Sequence, residues 1–260
     1  MKGVWRPECR NRNIGTKAFR CSKSNDMRIP ESWVDRDGNF SQYYERLESP
    51  RVETVEIGQK RVDVLYEEPR AGFSYGCCPT DIRKILLLIE SQIPALPDIV
   101  AFRQPTRKQR QQSPVWGRFI YSAQLEKHEG TAILLEAQEI HAPLRWSKRM
   151  TLDSRAEYER LVDDGHIFME TKRYYIANLR EDSVRNTLLY RTFLHELGHL
   201  ADYHQKVLDL ATALAPDREA ADDLYFSRPP KEREAFAHRF ADELKLVLLR
   251  NGAIPFAPGP

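Results

Sequence analysis

The stretch TFLHELGHLADYH, residues 192–204, places two histidines four positions apart, His195 and His199, with Glu196 directly after the first. On a helix four residues turn through about 400°, so both imidazoles stand on one face, one turn apart. That separation suits two ligands of one tetrahedral ion, and the carboxyl of Glu196 can reach a water on that ion without binding the ion itself. The segment reads as a helix: Leu189, Phe193, Leu197 and Ala201 recur at helical spacing with Leu200 beside them, and Asp182-Ser183 offers an N-cap region upstream. These flanks are too apolar for a surface helix carrying two solvated histidines. Gly198 lies inside the helix, where glycine costs about 1 kcal/mol relative to alanine. The position therefore calls for close approach of another backbone or of a substrate.

A catalytic zinc takes three protein ligands and keeps a position for water. The metzincin spacing would put Gly at 202 and His at 205, and this chain has Asp202 and Gln205. His204 lies about 140° around the helix from His199 and points away. Asp202 is closer in angle, but one straight helix rarely gives three ligands to one ion. The stronger candidate lies in PPKEREAFAHRFADEL, residues 229–244. Pro229-Pro230 marks a helix start. Phe236, Phe240, Leu244 and Val247 read as its apolar stripe, while Glu234 and His238 share another face, with Ala237 and Ala241 between the two and small enough to admit a neighbouring helix. Glu234 is then the third ligand and His238 a group that orients one of the ligands. Glu232, about 200° away on the same helix, is the alternative.

The rest of the chain bounds these readings. Its 260 residues, 41% hydrophobic and 30% charged, suffice for one large domain with an appendage. We expect an irregular basic segment over 1–45 and the main domain over 46–260. No apolar run is long enough to span a membrane, and MKGVWRPECRNRN lacks the apolar core of a secretory signal, so a cytoplasmic setting is expected, with signal-less export left open. Cys9, Cys21, Cys77 and Cys78 show no disulfide framework. Net charge is only +2, but Lys and Arg concentrate in residues 1–28 and again between Arg103 and Arg118, where no acid intervenes. These two segments are candidate contacts for nucleic acid or an acidic partner; the plainer reading is a solvated tail and loop.

Along the chain, VETVEIGQKRVDVLYEE (52–68) reads as a hairpin turning at Gly58-Gln59. Thr80 caps a helix to about Gln92, and strands follow at 98–103, 115–122 and 131–140. A helix over 154–164 and a hairpin over 166–179 precede the motif helix. The strands are too close together for regular βαβ crossovers, so the expectation is an α+β domain with a mixed sheet packed by helices.

His195-Glu196-Leu197-Gly198-His199 followed by Glu234-Ala235-Phe236-Ala237-His238-Arg239-Phe240-Ala241 resembles a gluzincin metallopeptidase. The second segment is similar to the E-x-F-A-x-x-F helix of the anthrax lethal factor catalytic domain and to the E-A-N-x-F-A helix of the ImmA/IrrE-type metallopeptidases. The likeness covers residues 195–244 in sequence and 80–250 in element order, and does not reach 1–50. It implies a zincin-like fold, a small twisted sheet with the motif helix beneath it and the Glu helix across. It implies zinc on His195, His199 and Glu234, with Glu196 as the base. His238 departs from the pattern, standing where lethal factor has Glu. Lethal factor also has a Tyr shortly before the ligand Glu; position 227 here is Ser, and Tyr225 is the nearest aromatic hydroxyl, with Tyr203 a further candidate.

The function expected is therefore zinc-dependent hydrolysis of a specific protein substrate, laid as an added strand along an exposed sheet edge for which residues 133–140 are the candidate. The alternatives are a nucleic-acid-associated regulator that cleaves or senses a DNA-bound partner, and a structural metal-binding protein. Glu196 argues against the last, because a structural site closes with a fourth ligand and has no use for a base.

Overall fold

The computed structural model describes residues 32–34, 40–42, 44–112, 114–208 and 218–259. Most of the expected 1–45 segment, with Cys9, Cys21 and the basic residues of 1–28, lies outside these. Strands β1 (Ser32–Val34) and β2 (Phe40–Gln42) form an antiparallel pair. The hairpin expected at 52–68 is present as β3 (Arg51–Ile57) and β4 (Lys60–Tyr66), turning at Gly58 with φ +56. After the short β5 (Phe73–Ser74) comes helix α1 (Pro79–Ile89). Its N-cap is Cys78 in place of Thr80: Pro79 is pre-set for the first helical position, and Asp81, three residues past the cap, accepts the Cys78 N–H at 3.0 Å.

The main sheet adds β6 (Ile99–Arg103), β7 (Gly117–Leu125) and β8 (His128–Glu136), with the short helix α2 (Arg107–Gln112) between β6 and β7. The strand order is β3-β4-β6-β8-β7. The outer hairpins are antiparallel, but β4 pairs β6 and β6 pairs β8 in parallel. The mixed sheet is thus as expected, while the exclusion of crossovers is corrected: the chain between Tyr66 and Ile99 holds α1 and returns in parallel. The candidate edge at 133–140 is also corrected. Ala132, Ile133, Leu134 and Leu135 are all fully buried, because β8 is an inner strand with both faces covered, and such strands read as unbroken apolar runs. The edge on this side is β7, whose sequence alternates.

Strand β9 (Gln138–Glu139) pairs β5, and β10 (Leu144–Ser147), β11 (Phe168–Glu170) and β12 (Tyr174–Ala177) form a separate three-stranded sheet around helix α3 (Leu152–Asp163). The motif helix starts as α4 (Glu181–Thr187), passes through a π-helical turn (Leu188–Thr192), continues as α5 (Phe193–Tyr203) and ends in a second π segment (His204–Leu208). The backbone stays right-handed helical at Thr187, Thr192 and His204, so these pieces form one rod. Helices α6 (Arg218–Ser227) and α7 (Pro230–Arg250) follow. No helix among the described residues is long and apolar enough to cross a membrane.

The core lies between one sheet face and the helices. Val62, Val64, Val100, Phe102, Ile133 and Leu135 meet Ile82, Ile85 and Leu86 of α1 and Phe193, Leu197 and Leu200 of the motif helix. The opposite sheet face packs Leu65, Ile99, Ala101 and Leu134 against Leu47 and Tyr44. On α7 the buried positions are Ala237, Ala241, Leu244 and Leu248. The expected Phe236-Phe240-Val247 stripe is displaced to the margin: the two rings stack on each other at 6.2 Å, and Val247 is exposed.

Asp81 ties three parts of the chain together. Its carboxylate accepts both Nη atoms of Arg185 at 2.7 and 2.9 Å and the N–H of Gly259 at 2.9 Å, joining α1, the motif helix and the C-terminal tail. Burial pushes the carboxyl up, but these donors outweigh it and hold the group below the ordinary value of 3.8. A depressed carboxyl stabilises the fold above the unfolded pKa, and that contribution is lost as pH falls through the folded value. Asp81→Asn, which leaves Arg185 buried without its counter-charge, should cost roughly 3–5 kcal/mol at neutral pH. Urea unfolding at a series of pH values should show this gap constant above about pH 5 and shrinking below the ordinary carboxylate range.

Candidate metal centre

The motif helix aims two imidazoles at one point. His195 Nε2 and His199 Nε2 are 3.2 Å apart. Glu234 on α7 completes a triangle, its carboxylate oxygens lying 3.4 Å from His195 Nε2 and 3.5 Å from His199 Nε2. A tetrahedral ion with bonds of about 2.0–2.1 Å separates its ligand atoms by about 3.3–3.4 Å. His195 faces one oxygen of Glu234 and His199 the other, so the three side chains converge at about the spacing one small divalent ion requires, and two imidazoles with one carboxylate are a donor set zinc accepts. The Nδ1 atoms of both histidines are buried without a hydrogen-bond partner among the described residues, so packing holds the rings.

His238 enters the same cluster. One of its nitrogens lies within 4.8 Å of ligand atoms of His195 and Glu234, which makes His195, Glu234 and His238 an alternative triad. The set with His199 is the tighter, since all three of its pairs lie at 3.5 Å or less. The His238 ring leans on the His195 ring at 4.3 Å with a 42° tilt, so it positions that ligand by stacking. Burial pushes His199 and His238 each down to about 4, which keeps both imidazoles neutral and their lone pairs available. The hydrogen bond from His195 holds the Glu234 carboxyl below its ordinary range.

Glu196 is buried beside the ligands. Burial pushes its carboxyl up to about 7; His195 and the Phe119 N–H oppose the rise and the Glu234 carboxylate adds to it. Phe119 belongs to edge strand β7, so Glu196 bridges the motif helix to the sheet edge. The other ligands weighed from sequence lie elsewhere. Asp202 is fully buried and paired with Lys206 and Arg228, and Glu232 faces Arg228 at 3.4 Å. His204 joins no cluster of metal-ligating residues among those described.

Gly198 has the reason its sequence position demanded. A Cβ there would lie 2.8 Å from both Cα and the carbonyl oxygen of Ala237. The two helix backbones touch, and α7 is brought close enough for Glu234 to reach both histidines.

A cleft runs across the ligands in two lobes that share Gly117, His195, Glu196 and Glu234. One, of about 320 Å³, continues past Trp116 and His238; the other, of about 420 Å³, past Phe119, Tyr121 and Arg233. Tyr225 does not line either lobe. Its ring is buried with Tyr203 and Val207, and its hydroxyl donates to Asp202 at 3.0 Å. The expectation that Tyr225 supplies a hydroxyl to the site is corrected by this placement. The Tyr203 hydroxyl likewise donates to Asp222, at 2.7 Å. Tyr121 and Arg233 were not singled out from sequence. The alternation of Phe119 and Tyr121 along β7 held a signal for the first; nothing in the sequence distinguishes Arg233 from a solvated arginine.

The basic stretch between Arg103 and Arg118 is largely engaged within the fold. Arg103 and Arg118 both bind Glu136, at 3.0 and 3.2 Å, and Arg110 pairs with Glu139.

Comparison of the chain with protein-family models, curated proteins and solved structures gave no match.

On helix propensity alone Gly198→Ala would stabilise by about 1 kcal/mol. Contact with the α7 backbone should reverse the sign, giving a loss of roughly 1–3 kcal/mol typical of overpacking. The same variant should bind divalent metal more weakly, because the helices must separate. Thermal unfolding without metal and zinc titration read the two effects separately.

Proposed function

We propose that this protein is a zinc-dependent endopeptidase of the gluzincin type. The observation that carries the reading is the convergence of His195 Nε2, His199 Nε2 and the Glu234 carboxylate at 3.2–3.5 Å in an open cleft, with the buried Glu196 next to them. His195, His199 and Glu234 would hold the ion. Zinc held there supplies Lewis acidity and an acidified water.

The residues of the chain do the rest. Glu196 takes the proton of the attacking water at its carboxylate and passes it to the leaving amine. A carboxyl with an affinity for protons near neutrality suits both transfers, and the Phe119 N–H keeps it aligned. His238 packs on His195 and limits its rotation. Among the described residues strand β7 pairs with β8 alone, and Gly117 to Phe119 and Tyr121 border the cleft. An extended substrate can add to that edge as a further strand, with backbone hydrogen bonds giving affinity and the two lobes receiving side chains.

The test is metal content followed by turnover. Wild type should bind zinc in equal stoichiometry with the chain. Glu234→Ala should lose more affinity than the roughly 10–100-fold caused by removing an outer partner of a metal ligand, while Glu232→Ala should bind as wild type. Glu196→Gln should keep the metal and lose peptide cleavage. Equal zinc binding by Glu234→Ala and wild type would overturn the ligand assignment, and undiminished cleavage by Glu196→Gln would overturn the mechanism.

A further inference from the structure

The lobe of the cleft that contains Tyr121 holds a guanidinium fixed in an unusual way. Arg233 immediately precedes the ligand Glu234 on α7, and its Nη1 donates to the carbonyls of Tyr225, Phe226 and Arg228 at 3.3, 3.4 and 3.3 Å. These carbonyls belong to the C-terminal end of α6 and the residue after it, where a helix presents unsatisfied acceptors and partial negative charge. The guanidinium also packs over the rings of Tyr225 and Phe226, at 5.5 and 5.6 Å. The two hydrogens of Nη1 are shared among three carbonyls in long contacts, and together with the two rings these set the position of the guanidinium.

All of these hydrogen bonds use Nη1. The edge formed by Nε and Nη2 donates to nothing among the described residues, and neither atom is a buried unsatisfied group. Arg233 lines the lobe together with Tyr121, His195, Glu196, His199 and Glu234. Among the described residues, Glu234 and Glu196 are the carboxylates that line this lobe. An arginine edge carrying two parallel N–H groups matches the two oxygens of a carboxylate, and a guanidinium already immobilised loses little freedom on binding.

We propose that Arg233 forms a carboxylate-binding subsite next to the metal centre, in the lobe that Tyr121 also lines. This rests on the metallopeptidase reading and names the substrate class: a peptide bearing a carboxylate close to the scissile bond. The carboxylate is that of an Asp or Glu side chain or that of the chain terminus; the first makes the enzyme an acid-directed endopeptidase, the second an enzyme that trims chain ends.

Dipeptide hydroxamates, whose head group binds zinc directly, test this without a known substrate. Three forms are titrated into the zinc-loaded full-length protein: one with a Glu side chain and an amidated terminus, its Gln counterpart, and the Gln compound with a free terminal carboxylate. One of the two acid forms should bind wild type roughly tenfold or more tightly than the Gln amide, as expected for a charge-assisted hydrogen-bonded pair, and which one it is identifies the source of the carboxylate. Arg233→Ala should erase the difference and keep the affinity of the Gln amide. Because Arg233 also caps α6, the comparison within wild type stands if that variant fails to fold. Equal binding of all three forms, or a preference that persists in Arg233→Ala, would overturn the subsite and leave the metal centre standing. Failure of every hydroxamate to bind would overturn both.

Discussion

The site depends on one contact, that between the backbones of the motif helix and α7 at Gly198 and Ala237. Packed helices ordinarily keep their axes about 8–10 Å apart, according to the side chains at the crossing. Glycine on one side and alanine on the other give the close end of that range. The crossing lies beside His199 and about one turn from both His195 and Glu234. Helical side chains lean toward the N-terminus of their own helix, so Glu234 reaches its partners from the turn before the contact. The 3.2–3.5 Å spacing of the three donors is a consequence. A larger residue at either contact position would move the carboxylate by more than such a triangle tolerates. The intrinsic helical penalty of Gly198 is thus the local cost of a long-range geometry.

The same contact decides how α7 packs. The sequence offers two apolar stripes on that helix, one of phenylalanines and one of alanines and leucines. The larger side chains look like the better core, since each buries more surface. Close approach reverses the choice: only the Ala237-Ala241 face fits against Gly198, and Phe236 and Phe240 are rotated to the margin. The motif helix itself was legible because its apolar period, its histidine spacing and its glycine all pointed one way. Glu234 was legible for a related reason, as the carboxylate on the face left over once small residues claimed the interface.

What escaped the sequence is what depends on partners distant along the chain. The run from Ala132 to Leu135 gives no local sign of which strand flanks it, and its unbroken apolarity marks an inner strand only once the sheet order is known. The charge run from Arg103 to Arg118 reads from sequence as a solvated loop or as a surface for nucleic acid or an acidic partner. Its counter-charges, Glu136 and Glu139, lie beyond the run in the strands after it, and pairing turns much of the run into a clamp that holds α2 at the end of the sheet. The pairs on the buried Glu136 are weak evidence of stability, but they fix the wall of the cleft to which Arg118 belongs. Tyr225 lies near Glu234 along the chain, but the turn of α6 directs its hydroxyl to Asp202.

The electrostatics of the centre link its parts. Burial keeps His199 and His238 neutral, and Glu234 is held ionised, so the cluster offers lone pairs and a negative charge to whatever it binds. Burial raises the proton affinity of Glu196 to about neutrality, and the neighbouring Glu234 carboxylate adds to the rise. Positive charge on the ligands acts in the opposite sense, drawing a nearby carboxyl toward its ionised form. Glu196 is therefore partly protonated near neutrality in the cluster by itself, and a cation on His195, His199 and Glu234 would draw it further toward the ionised form that accepts a proton. Occupancy of the centre and readiness of the base are coupled through a few ångströms of low-dielectric protein. Glu196 is buried against the edge of β7 with no ion pair to an arginine or lysine among the described residues, and Arg118 only tempers the rise from nearby.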